Sequence, residues 1–155
     1  MDTNVMNKIF GVHHYALGLN LDGLTDEESR TSPAPGGNCV NWVLGHIIAS
    51  RADIMKLLGA ESTFAAEHVA RYARGSAGDA AAGNYLPLDA LQQELNRSQE
   101  ALSAALAAAT PERLAAPIRD DTVYGTLAFL QFHEGYHVGQ IGVLRRVLGH
   151  KGQIA

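Results

Sequence analysis

The sequence predicts an all-α fold, an antiparallel four-helix bundle with a long connection between its second and third helices. Four long segments carry apolar residues at three-four spacing. Nowhere does a period-two alternation run far enough to suggest a sheet. The length agrees: 155 residues fit one domain, residues 1–155, able to bury about two-thirds of the surface of the unfolded chain.

The first helix is expected from about Thr3 to Leu21, with Met6, Ile9, Phe10, His13, Leu17 and Leu21 facing inward. Residues 25–38, with Pro33, Pro35, Gly36 and Gly37, form a connection that ends in Asn38, a candidate N-cap. The second helix runs from about Cys39 to Leu58 and stops at Gly59, where a glycine suits a helix end. Its stripe is Val43, Ile47, Ile54, Leu57 and Leu58. Residues 60–86 are the least regular part, with a short helical piece around Phe64–Tyr72. The third helix starts at or just after Pro87, with Leu88, Leu91, Leu95, Leu102 and Leu106 as its stripe, and ends near Thr110-Pro111. After the turn Arg119-Asp120-Asp121, the fourth begins near Thr122 and runs to Leu148. Its inner face reads Leu127, Leu130, His133, His137, Gln140, Ile141 and Leu144. Gly135, Gly139 and Gly142 each cost that helix about 1 kcal/mol relative to alanine. Close approach of a neighbouring helix or a partner subunit is the expected compensation.

A formal charge of −4 and the lack of a long Lys/Arg run argue against a nucleic-acid or anionic-membrane surface. Arg145, Arg146 and Lys151 cluster at a helix C-terminus, which attracts cations anyway. The single cysteine, Cys39, excludes an internal disulfide framework and fits a reducing compartment. The first residues read as no signal peptide, and no apolar run approaches the roughly 18 residues of a membrane span. A cytoplasmic location is expected.

The chemistry lies in the histidines. His133 and His137 stand four residues apart, so their side chains stack on one helix face and can share a divalent ion at about 2.0–2.1 Å per nitrogen. His46, in the apolar stripe of the second helix, is the candidate third ligand. Singly, each histidine is more often a hydrogen-bonded core residue. Three on inward faces of two helices shift the balance, because burying them without a shared partner leaves several polar groups to satisfy.

The segments Asn41-Trp42-Val43-Leu44-Gly45-His46 and His133-Glu134-Gly135-Tyr136-His137-Val138-Gly139-Gln140-Ile141-Gly142 resemble the DNA-damage-inducible DinB-like superfamily, as does Tyr72-Ala73-Arg74-Gly75-Ser76. The resemblance covers nearly the whole chain. It implies a four-helix bundle whose three histidines hold nickel, zinc or a similar divalent ion, often in a homodimer. Relatives include metal-dependent thiol transferases and a thiol-dependent isomerase that use low-molecular-weight thiols such as bacillithiol or mycothiol. The activity so implied is a metal-dependent transferase or hydrolase that activates a thiol or water against a small electrophile. Arg71, Tyr72, Arg74 and Tyr85 are expected to read the electrophile's polar parts. The rival reading is a non-catalytic metal- or small-molecule-binding bundle with a structural or stress-related role.

The run from His133 to His137 also satisfies H-E-x-x-H, in which Glu134 would be a general base. The extended protease signature needs Gly at 140 and His at 143, where this chain has Gln140 and Val143. Glu134 is therefore expected to be a peripheral carboxylate or one behind the ligands. Gln140 and Trp42, one turn from His137 and His46, are candidates to support the ligands or touch substrate, as are Arg74 and Tyr72. His13 or His14 is a possible fourth ligand, His68 a loop residue that could belong to a lid, and His150 part of the tail. Cys39 defaults to a buried apolar role.

Overall fold

The computed structural model describes residues 2–34, 36–76 and 85–154. Pro35 and residues 77–84, both read from the sequence as connection, lie outside the described residues. Four long helices make the bundle: α1 (Thr3–Leu21), α3 (Val40–Leu58), α5 (Leu88–Ala108) and α7 (Val123–Val147). Between them lie α2 (Asp26–Ser29), α4 (Ala66–Arg71), α6 (Pro111–Ala115) and a two-stranded ladder of β1 (Pro117–Ile118) and β2 (Asp121–Thr122). The all-α bundle expected from the apolar periodicity is the observed fold.

The helix ends follow side-chain chemistry. Asp2 caps α1 by accepting from the Asn4 and Val5 amides, Thr122 caps α7 through Gly125, and α3 ends at Gly59 in the left-handed conformation, φ 76°. The N-cap of α3 is Cys39 rather than Asn38, and it makes no side-chain cap bond. Two short helices carried signals that the periodicity did not reveal. Thr25 and Glu28 form a reciprocal capping box on α2, and Thr110 caps α6 with Pro111 in its first turn. Of the expected turn at 119–121, Arg119 and Asp120 form the tip of a small antiparallel hairpin and Asp121 is already in β2; Pro117 lies opposite Thr122, and Arg119 has φ 53°.

Each long helix packs on two others: α3 on α7 and α5, and α1 on α7 and α5. Contacts fix the directions. Val43 and Ile47 cluster with Val138 and Ile141 while Ile54 clusters with Val123 and Leu127, so α3 and α7 run antiparallel; so do α1 and α5, with Leu17 beside Leu91 and Leu95 at one end and Phe10 beside Leu102 and Leu106 at the other. Met6 meets Gln131 while Asn20 lies against Gly142, so α1 and α7 run the same way. The α3 and α5 helices are parallel too, Asn41 bonding Leu86 and Arg51 bonding Leu95. A parallel pair of neighbours needs a chain that returns along its whole length. The long connection between α3 and α5 makes that return.

The buried apolar side chains fall into two clusters, one at each end of the bundle. One contains Leu17, Val43, Ile47, Leu91, Leu95 and Ile141, and the other Phe10, Ile54, Leu102, Leu106 and Leu127. Between them lies a polar layer drawn from all four long helices: His13, Arg51, Ser98 and Glu134. Ile9, expected to face inward, is instead on the outer surface of α1. It joins a face that is apolar yet exposed, with Val5, Val12 and Tyr15 on α1 and Phe129, Phe132, Tyr136, Val143 and Val147 on α7. Ile9 and Phe132 line one groove between the two helices, so the face is continuous.

Candidate metal centre

Three imidazoles meet where α3 crosses α7. His46 lies on α3 one turn beyond Trp42, and His133 and His137 lie one above the other on α7. His46 Nε2 is 3.3 Å from His133 Nε2, and His137 Nε2 is 3.1 Å from the same atom. Two nitrogens bound to one ion at 2.0–2.1 Å and a tetrahedral angle sit about 3.3 Å apart. Among the described residues this is the one group of three His, Cys, Asp or Glu side chains close enough to hold a metal ion.

The ring orientations leave lone pairs facing the centre. His46 Nδ1 is 2.8 Å from the Tyr72 carbonyl, which can only accept, so Nδ1 carries the proton and Nε2 is bare. His137 Nδ1 donates to Gln140 Oε1 at 2.9 Å, with the same result. A proton on His133 Nε2 could satisfy one of its two neighbours but not both. A shared cation satisfies all three nitrogens, so the donor set fits a divalent ion. His133 Nδ1 is buried without a hydrogen-bond partner, which makes this ring the least anchored of the three.

Burial holds the His137 imidazole well below its usual range, to about 4, with the neighbouring His133 and His46 adding and the Gln140 bond opposing. His133 is lowered as well, chiefly by burial and then by His46, while Arg74 pushes the same way and Glu134 the other. Both rings are thus kept in the neutral form that ligation requires.

The segment around His46 is built as a unit. Trp42 stacks on the His46 ring, centroids 4.8 Å apart and planes 8° from parallel, and its Nε1 donates to Ser76 Oγ. Tyr72 is fully buried against Gly45, where any Cβ would overlap the ring. The Tyr72 hydroxyl donates to Asn41 Oδ1 and accepts from the Leu86 amide, and Asn41 Nδ2 donates to the Leu86 carbonyl. Asn41, Gly45 and Tyr72 therefore fix the carbonyl that orients His46. Tyr85, expected to read a substrate, and Tyr72, expected to support a ligand or touch substrate, both have buried rings, stacked 5.8 Å apart, and Tyr72 meets His46 through its carbonyl. Arg74 is exposed near the site, close enough for its charge to act on His133. The outer wall is aromatic, with Phe129 stacked near His133 and Tyr136 edge-on to His137.

Glu134 is not peripheral. One residue on from His133, it points about 100° around the helix, away from the three Nε2 atoms and into the bundle. There its two oxygens accept from Arg51 Nε at 2.9 Å and Nη2 at 2.8 Å, with both side chains at most 2% exposed. Burial alone would raise its carboxyl, but the charge and hydrogen bonds of Arg51 outweigh that and hold it ionised. A carboxylate so engaged is not free to act as the base of a zinc protease. His13 Nδ1 lies 3.5 Å from Glu134 rather than at the three-histidine group. His14 is not in that group either. His68 pairs with Glu67, and His150 is tied back to Glu28 at 2.9 Å rather than loose in the tail. Cys39 is fully buried and its thiol is pushed up by that burial, so it is a poor nucleophile.

Helix glycines divide by what they face. A Cβ at Gly135 would press on His13 and one at Gly142 on Asn20, so these two let α1 approach. Gly139 has nothing within 4 Å among the described residues and lies on the exposed apolar face. Sequence reasoning missed Arg51 altogether. Its signal was a charge in register with the stripe of Ile47 and Ile54.

Comparison with protein-family models matches residues 13–141 to the DinB superfamily. No curated protein matches the chain. The helical fold and a histidine group that could hold a metal ion agree with that family.

Proposed function

Because the chain belongs to the DinB superfamily, we propose that His46, His133 and His137 hold a divalent cation, nickel or zinc, and that the protein is a metal-dependent transferase or hydrolase acting through a small thiol or water. The observation that carries this reading is the convergence of three Nε2 atoms, two of them bare because Tyr72 and Gln140 hold the proton on Nδ1. When bound, such an ion supplies Lewis acidity, which brings the pKa of a thiol or water down toward neutrality. The protein's part is to keep His133 and His137 neutral and all three imidazoles aimed. Trp42 covers one face of His46, Phe129 and Tyr136 restrict water at His133 and His137, and Arg74 offers its charge to an anionic group on the electrophile. Nothing in this arrangement calls for nucleic acid. No helix among the described residues is long and apolar enough to cross a membrane, which fits the cytoplasmic site of action proposed here.

The test loads purified protein with zinc or nickel and screens it against thiol plus electrophile pairs and against simple esters. Turnover that disappears in His137→Ala is expected. Stoichiometric metal binding with no turnover on either panel would leave a cation-holding bundle and defeat the enzymatic part.

The same reading includes a homodimer through the exposed face of α1 and α7. Its nine large apolar side chains, mostly more than half exposed, amount to on the order of 900 Å². A standard interface needs roughly 800 Å² from each partner. Lys8 and Arg146 are the charges near it, and depletion of charge marks interface cores. Gly139 leaves room there for a helix to come close. Sedimentation at micromolar concentration is expected to give a dimer for the native chain and a monomer for Phe132→Asp. A native chain that sediments as a monomer at every concentration rejects this assembly.

A further inference from the structure

We propose that the buried Arg51–Glu134 pair consists of positioning residues: it sets the register of α3 against α7 and so brings His46 to the two histidines of α7. This rests on the cation-binding reading of those histidines. Arg51 lies five residues beyond His46, and Glu134 lies between His133 and His137 in sequence. The pair and the site therefore occupy neighbouring levels of one helix–helix contact.

The pair is built to define a position rather than merely to neutralise charge. Both Glu134 oxygens are engaged by Nε and Nη2 in a forked arrangement, which fixes orientation as well as distance. The remaining Arg51 nitrogen, Nη1, donates to Ser98 Oγ at 3.0 Å and to the Leu95 carbonyl at 3.4 Å, so α5 holds the guanidinium from behind. Apolar packing cannot do the same work. The two core clusters sit above and below this layer, and aliphatic side chains tolerate a sliding neighbour far better than a two-point hydrogen bond does. Buried polar groups are best attested in this capacity, as devices that select one register among several of similar packing quality. A one-residue slip would carry His46 about 1.5 Å along α3, enough to break a site whose nitrogens are 3.1–3.3 Å apart.

The decisive variant replaces both members with residues that fill the space, Arg51→Met with Glu134→Met. A pair that serves stability alone predicts that the apolar replacement, if it folds and melts cooperatively, binds metal as before. A positioning pair predicts cooperative melting with native helix content, together with Co(II) affinity lower by about 10–100-fold and altered Co(II) visible absorption bands. Affinity within about twofold of native, with the same bands, overturns the proposal.

Should the native protein fail to bind Co(II), the cation reading fails, and the register is judged on the metal-free protein. Nuclear Overhauser contacts between ring protons of His46 and His133 are expected in the native chain and not in the double variant. Their survival in the variant overturns the positioning role. Should the double variant fail to fold, Ser98→Ala loosens the guanidinium and leaves the ion pair in place. Weaker Co(II) binding at unchanged melting temperature supports the proposal, and unchanged binding overturns it. Arg51→Lys, which keeps the charge but lacks the fork, is expected not to restore affinity.

Discussion

Gly45→Ala is expected to cost the protein both stability and its cation. An added Cβ would overlap the Tyr72 ring, lying 2.5 Å from Cγ and nearer still to two other ring carbons. The ring cannot swing away cheaply, because it is fully buried and its hydroxyl is held by Asn41 and by the Leu86 amide. Overpacking of this kind costs about 1–3 kcal/mol or more, against a gain of about 1 kcal/mol from replacing a helical glycine. A net loss of up to about 2 kcal/mol is expected in thermal or urea unfolding. The functional loss follows from the same displacement. The Tyr72 carbonyl moves, the Nδ1 proton of His46 loses its acceptor, and the ring is free to present the wrong nitrogen. Metal titration of the variant should show weaker binding, within the 10–100-fold span typical of residues that orient a ligand. Unchanged stability and affinity would mean that Tyr72 does not hold His46 in place.

Acidification from about pH 6.5 to about 4 is expected to remove a bound divalent ion and to weaken the metal-free fold. In the unfolded chain the imidazole of His137 takes up a proton near 6.5, whereas in the folded one it resists down to about 4. Between those values the unfolded chain binds more protons, so stability falls as pH falls. The contribution is fully present above 6.5 and is gone once the folded ring is protonated near 4. His133, lowered for the same principal reason, acts in the same direction. Bound metal competes with protons for the same lone pairs and moves the release point downward. Metal content after desalting across this range, with thermal melts of the metal-free protein, measures both effects. Metal fully retained at pH 4, or a His137 ring titrating near 6.5 in the metal-free protein, would contradict the geometry.

The long helices were legible in the sequence because their apolar stripes extend over several turns, and periodicity is most reliable there. The short elements were not. Strands of two residues have no alternation to detect, and α2 and α6 announce themselves only through the caps Thr25–Glu28 and Thr110-Pro111. Inside and outside were confused where a helix is apolar on most of its circumference. Ile9 looked like a core residue, and the aromatics of α7 carried no sign that Phe129, Phe132 and Tyr136 would stand exposed. The pairing of His46 with His133 spans 87 residues, but spacing and apolar context pointed to both ends. The pairing of Arg51 with Glu134 spans 83 and had no such pointer, since a lone charge in a stripe reads as surface until its partner is known. The way Tyr72 supports His46 was hidden for another reason. The residue acts through its main-chain oxygen, which no side-chain pattern encodes.

The same-direction run of α3 with α5, and of α1 with α7, bears on how the chain reaches this state. Neighbouring helices here are not joined by tight hairpins, so much of the lateral packing waits for large loops to close. The Gln131 side chain binds the Met6 carbonyl across 125 residues of intervening chain. Folding rates fall as contacting residues grow more distant in sequence, because loop entropy is lost before the contact rewards it. This bundle should therefore assemble more slowly than a hairpin-connected one of equal size. Until α1 and α7 meet, the sides they turn to each other stay open to solvent and to other chains, which makes nascent or refolding protein prone to aggregate.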